Sequence, residues 1–336
     1  MNTANDILSP SHIEISVVIV TADRPQPLAD TLESFRGLNV PSHLPTELLV
    51  MDNSRTKSDA VKQVVESADL PRFEQVRYIR VATPGKCYGI NLALKKAVGQ
   101  IFLFIDDDVH PIPDWLIRMS DPIRHNEADS LSGGIRLASH LVRPWMERMH
   151  MGMMASTEWL QPGEQLPALI GANLGFHRRV LEKVPAYDLE LDPATLYGGG
   201  EEILFSYQLD EAGFRRTTIT DIIVDHHFNP DRLAGDVLRR RMSKVGREHV
   251  YIMHHWQHEP IYHVRRNFIR SYLDMKKVQR QMQTEWQYPE GISLREMKAI
   301  EMHYFYRQAL TELQRPRNYD LRGLVKLRGV LPDNEG

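Results

Sequence analysis

Three stretches carry residue types whose spacing could do chemistry. Asp106-Asp107-Asp108 follow directly on the apolar run Ile101-Phe102-Leu103-Phe104-Ile105. Carboxylates this close raise one another's pKa unless a cation relieves them. Oxygen-only donors suit a hard divalent ion such as Mg2+ or Mn2+, and such an ion with open positions commonly binds a diphosphate. A solvated acidic turn is the plain alternative. Glu201-Glu202 follow Gly198-Gly199-Gly200 at what reads as a helix start, where carboxylates also complement the helix dipole. His226-His227 close a β-rich run. Adjacent residues on a strand point to opposite faces, so one of the two at most reaches a given ion, and a satisfied structural histidine is the alternative.

The surrounding pattern says what positions these groups. Residues 15–20, 47–52, 78–82 and 101–105 read as buried strands, and amphipathic helical segments lie between them. The helix that follows Pro84-Gly85 carries Ile90, Leu94 and Ala97 on one face and stops at Gly99. Alternating strands and helices predict an α/β domain with a largely parallel sheet, which binds ligands outside the carboxyl ends of its strands. Asp52 and Asp106 to Asp108 fall at such ends. Residues 131–137 read as a strand interrupted by paired glycines, 146–154 as a helix or mobile loop, and 169–176 as a strand. A helix is expected from 178 to 184, another from Glu201 to about Gly213, and a β-run over 217–227. From about 236 onward the pattern is helical, which puts a boundary near 232: a catalytic domain over 1–232 and a helical extension over 233–336.

The chain has 336 residues, 42% hydrophobic and 25% charged, with 20 Gly and 20 Pro, which excludes disordered, collagenous and repeat-dominated classes. The single Cys87 excludes an intrachain disulfide framework and favours a reducing compartment. No apolar run is long enough to span a membrane, and the first twenty residues lack a secretory pattern, so a cytoplasmic protein is expected. The net charge of −3 conceals an asymmetry: residues 231–280 hold twelve Lys/Arg against five Asp/Glu, and residues 1–230 are acidic. That contrast suits a cation site in the body and an anionic partner near the extension. For the basic segment the readings are peripheral contact with a membrane through 233–280, closure over a diphosphate by Arg, or a packing and homodimerisation module. Nothing points to nucleic acid. HHWQH at 254–258 lacks the Cys or helix-spaced acid of a metal site and is discounted.

The segments ISVVIVTADRPQPLADTLESF, LLVMDNS and PGKCYGINLALKKAVGQIFLFIDDDVHPIPDWL resemble the nucleotide-sugar half of family 2 glycosyltransferases with the GT-A fold. GGIRL, ALIGANLGFHRRVLEKV, GGGEEILFSYQLDEAGFR and VDHHF resemble the acceptor-side half, in the same order, so that the likeness covers about 15–230. The resemblance implies a metal-dependent, inverting transfer of a sugar from a nucleotide-sugar, UDP- or dTDP-linked, to an acceptor hydroxyl, with Mn2+ or Mg2+ as cofactor. It puts Thr21, Asp23 and Arg24 beside the nucleoside, and Asp52 on a pyrimidine N3–H. It puts Lys86 and Asn91 along the nucleotide pocket and Asn173 near the diphosphate and acceptor. Asp106 or Asp107 would face the ribose, and Asp108, with Asp106 and His226, would hold the metal. Glu202 would be the base, with Glu201 as the alternative. The acceptor stays open: a saccharide, a lipid-linked intermediate or a natural-product aglycone. Competing classes are a sugar-1-phosphate nucleotidyltransferase, disfavoured by a first loop without glycine, and a non-catalytic carbohydrate-binding relic, disfavoured because every motif position is filled.

Overall fold

A computed structural model of the chain describes residues 13–161 and 163–329. Most of the N-terminal stretch read for a secretory pattern, and the outer ends of both expected units, lie outside these residues. The first half winds β1 (Ile15–Thr21), α1 (Pro25–Phe35), β2 (Thr46–Asp52), α2 (Ala60–Ser67), β3 (Gln75–Arg80), α3 (Lys86–Lys96) and β4 (Ile101–Ile105). These four strands are parallel and lie in the order β3-β2-β1-β4, so Thr21, Asp52 and Asp106 emerge at one edge. Alternation decides which side chain goes where. Ile15, Val17 and Ile19 enter a core on one face with Leu48, Val50 and Leu103, while Val18, Leu49, Met51, Phe102 and Phe104 enter a second core on the other. Both faces of β1, β2 and β4 are covered, which is why these strands are mostly apolar, whereas the edge strand β3 is half polar and only partly buried.

The second half adds β5 (Val109–Pro111), α4 (Trp115–Arg124), β6 (Ser130–Leu137), α5 (Arg148–Met153), β7 (Asn173–His177), α6 (Glu201–Glu211) and β8 (Arg216–His226). The eight-stranded sheet has the order β3-β2-β1-β4-β7-β6-β8-β5, with β7 antiparallel to β4 and β6, β6 parallel to β8, and β5 antiparallel to β8. It is thus parallel in its first half and mixed in its second. The β6–β8 register slips between Gly133 and Gly134, and this is what the paired glycines are for. A Cβ on Gly134 would stand 2.0 Å from the Thr220 carbonyl oxygen, and one on Gly133 would stand 2.2 Å from the Asn173 amide.

Two local expectations shift. Residues 169–172 are not strand: the amides of Leu169 and Ile170 donate to the hydroxyls of Ser206 and Ser132, which hold the segment off the sheet. Arg178–Glu182 is a short 3-10 turn rather than an α-helix.

The helices of the extension are α7 (Gly235–Ile252), which passes through a π-turn at Met253–Gln257, α8 (Val264–Glu285) and α9 (Leu294–Glu312). They share a core with the sheet unit, where Trp145, Phe228 and Leu233 pack with Leu238, Met242, Met297 and Ile300. The HHWQH histidines are structural: His255 pairs with buried Glu312 at 2.7 Å, and His254 and His258 meet the carbonyls of Arg315 and Tyr319. Among the described residues no helix is long and apolar enough to cross a membrane.

Candidate active site

The strand ends gather the acids at one edge of the sheet, beside a cleft that Asp106 lines with Lys86 and Glu202, and each acid acquires a different environment. Asp107 is buried, accepts from Thr21 Oγ1 at 2.5 Å and pairs with Arg24. Burial lifts its pKa to about 7, against the pull of Arg24. Asp108 is buried beside it and receives the other arm of the Arg24 guanidinium at 2.6 Å. Its second oxygen, Oδ1, has no hydrogen-bond partner, nor has Nε2 of buried His226, and the two atoms face each other at 3.4 Å. The other His226 nitrogen, Nδ1, lies 3.0 Å from the Met154 carbonyl oxygen, which can only accept, so Nδ1 carries a proton and the neutral ring leaves its lone pair on Nε2. Two orphaned buried acceptors aimed at one another are a costly arrangement that a divalent cation would relieve, and a histidine oriented from behind by a carbonyl is how metal sites hold theirs. The donor set therefore fits a hard divalent ion. Among the described residues no cluster of three or more His, Cys, Asp or Glu could hold a metal ion. The protein supplies two groups there, leaving positions for water and ligand oxygens. His227 points the other way and stacks on His110 at 4.1 Å.

Asp106, expected at the ribose and the metal, instead points to Lys86 Nζ at 3.6 Å. The same ammonium lies 3.2 Å from Glu202 Oε1, so Lys86 bridges the donor-side acids to the start of α6. Burial opposes the charge on Lys86, but Asp106 and the two glutamates outweigh it and raise its pKa well above the ordinary value. Glu202 lines a cavity with Lys86, Asp106, Gly171 and Tyr187. A Cβ on Gly171 would stand 2.0 Å from Glu202 Oε1, so only glycine lets the carboxylate occupy this place. Glu201, one residue earlier on the helix, turns inward and is buried. Burial first, then the Glu202 charge, lifts its pKa to about 8.

Four expected contact residues turn out to be braces. Asp52 is fully buried: Oδ1 accepts from the Ser54 amide and hydroxyl, and Oδ2 from Tyr78 and Arg80 at 2.7 and 2.6 Å. A carboxylate has about four acceptor positions, so none is left for a pyrimidine N–H. Burial raises its pKa, but these donors outweigh it and hold the carboxyl below its ordinary range. Asn91 spends its amide on the backbone N–H and carbonyl of Tyr187. Asn173 accepts from Trp115 Nε1 and donates to the carbonyls of Gly134 and Ile222, plugging the slip in β6. Asp23 is exposed and clasps the backbone of Arg55 and Thr56.

One cation at the cleft escaped the sequence reading. Arg232, in the turn after β8, has its Nη1 3.8 Å from Asp108 Oδ2 and lies over the Phe228 ring. Its signal was faint: an arginine six residues past His226, on the boundary drawn between the two units.

The family model for glycosyl transferase family 2 matches residues 16–185, just over half of the chain. The chain belongs to glycosyl transferase family 2. Among curated relatives it is similar to the succinoglycan biosynthesis protein ExoM of Rhizobium meliloti (strain 1021), at 30% identity over 125 residues. That match spans 37% of this chain and 39% of the relative's length. Among solved structures, the mannosyltransferase PcManGT from Pyrobaculum calidifontis superposes with a TM-score of 0.53 at 16% identity, over 89% of this family 2 chain and 70% of that one. GalNAc-T7 gives the same score and identity over 93% and 60%. These likenesses carry the α/β architecture of the GT-A type.

Proposed function

We propose that this family 2 chain is a divalent-metal-dependent, inverting glycosyltransferase that moves a sugar from a nucleoside-diphosphate sugar to an acceptor hydroxyl. The observation that carries the reading is the orphaned pair of Asp108 Oδ1 and His226 Nε2, with Asp108 two residues along the chain from Asp106, which lines a cavity with Glu202 and Lys86. PcManGT was solved with GDP-Man and Mn2+, and GalNAc-T7 with UDP, GalNAc and Mn2+, which supports a donor and metal of this kind.

The roles follow from charge and position. Asp108 and His226 would hold a divalent ion, which would neutralise charge on the leaving diphosphate. Arg24 and Arg232 hold the acids that face it and add positive charge on the leaving-group side. Glu202, the half-open carboxylate of the pair, accepts the proton of the acceptor hydroxyl while that oxygen attacks the anomeric carbon. The bond to the diphosphate oxygen breaks on the opposite face, so the anomeric configuration inverts. Lys86, 3.2 Å from Glu202 Oε1, holds that carboxylate in place. With Asp52 saturated, the choice between UDP and GDP rests on other groups.

Titration calorimetry of UDP and GDP, with and without Mn2+, tests the reading on the wild-type chain and Asp108→Ala. One nucleotide should bind with Mn2+ and lose that binding in the variant. Equal affinity in both proteins would remove Asp108 from the metal site.

A further inference from the structure

The outer face of α8 has no role in the reaction, yet its composition is unusual for a solvated surface. The helix packs inward on α9 through Ser271, Met275 and Val278. At 100° per residue the opposite face carries Ile269, Leu273, Lys276 and Arg280 in one row, with Arg266, Arg270 and Lys277 in the row beside it. Ile269 and Leu273 are 60% and 61% exposed, and Tyr262 just before the helix is 68% exposed. Across Val264–Glu285 the basic residues are Arg265, Arg266, Arg270, Lys276, Lys277 and Arg280, against Asp274 and Glu285. Asp274 lies to one side, 3.9 Å from Arg270.

We propose that this face docks the protein on an anionic lipid surface. An aliphatic pair framed by long basic side chains is what an interfacial helix presents: the apolar groups enter the acyl boundary, and the cations reach the phosphates. Charge complementarity selects the occupant. A second copy of this face would bring like charges together, and a nucleic acid or other soluble polyanion would leave Ile269 and Leu273 in water. The inference does not depend on the transfer reaction, so either can fail alone.

Co-sedimentation of the full chain with phosphatidylcholine vesicles, with and without phosphatidylglycerol, tests it. Binding should require the anionic lipid and weaken with salt. Ile269→Ser/Leu273→Ser and Arg266→Gln/Arg270→Gln/Lys277→Gln should each reduce partitioning by about tenfold or more. Thermal melts of both variants should match the wild type, because every changed side chain is exposed. No pelleting with anionic vesicles would overturn the proposal. So would loss in the charge variant with full retention in the Ser variant, which marks a polyanion site, or a concentration-dependent dimer that the Ser variant abolishes.

Discussion

Two buried polar clusters in this molecule have similar residues and opposite bookkeeping. Under the C-terminal tail, Asp188 accepts from Tyr251, Tyr319 and Lys326, and Glu190 from Arg315, Asn318 and Lys326. Glu312 accepts from His255, Tyr197, Gln308 and Arg315. Every carboxylate there has donors on both sides. In the cleft, Asp108 Oδ1 and His226 Nε2 have none, and Lys86 stretches between Asp106 and Glu202. A fully satisfied buried network rigidifies, whereas a half-satisfied one is tolerated where something else is meant to complete it. The first cluster is also the second's foundation. The loop bearing Asp188 and Glu190 continues to Asp192, which accepts from the Cys87 amide at 2.7 Å and so fixes the helix start that carries Lys86.

The contrast is sharpest in what substitution should do. Glu202→Gln should lower turnover by about 10²–10⁴, the usual worth of a positioned base, with donor affinity nearly intact. Turnover and calorimetry on the same variant check it, and Glu201→Gln should do less. In the cluster of Asp188, Glu190 and Glu312 the loss is of stability. Lys326→Met breaks a buried pairing with two carboxylates and should cost about 3–5 kcal/mol in urea denaturation. Asp108→Asn gives His226 Nε2 a donor but removes the charge that faces Arg24, and should cost less than Lys326→Met. Equal costs would erase the distinction between the clusters. His226→Ala should weaken Mn2+-dependent nucleotide binding by about tenfold or more, and His227→Ala should leave it unchanged. Comparable effects would mean that the strand faces have been assigned the wrong way round.

The remaining contrast is in pH dependence. The folded pKa of Glu201, about 8, lies above its ordinary 4.5, so its contribution is full below about pH 4.5 and is lost as pH rises through 8. Glu201→Gln should flatten that decline in urea midpoints measured across the same range. Glu312 has the opposite sign. Burial pushes its pKa up, but donors led by His255 hold it at about 2, so its contribution is present above the ordinary carboxyl value and lost on acidification toward 2.

Much of this was legible in the residues. The short, almost continuous apolar runs ISVVIV, ELLVMD and IFLFI were enough to place strands, whose side chains alternate with a period of two, and parallel strands put their carboxyl ends together wherever the helices pack. The same periodicity separated His226 from His227, and a 100° step separated Glu201 from Glu202, because both are properties of a local backbone. What the chain could not disclose was where each polar atom would be spent. Asp52, Asn91 and Asn173 are at motif positions, but their partners come from Arg80, Tyr187 and Trp115, brought near only by folding. Lys86 meets Glu202 across 116 positions of sequence, and Arg232 comes up beside Asp108 from across 124. Residue type sets what a group can donate or accept. Only the packed structure decides whether a neighbour has already taken that capacity, and in this protein that decision separates the braces from the site.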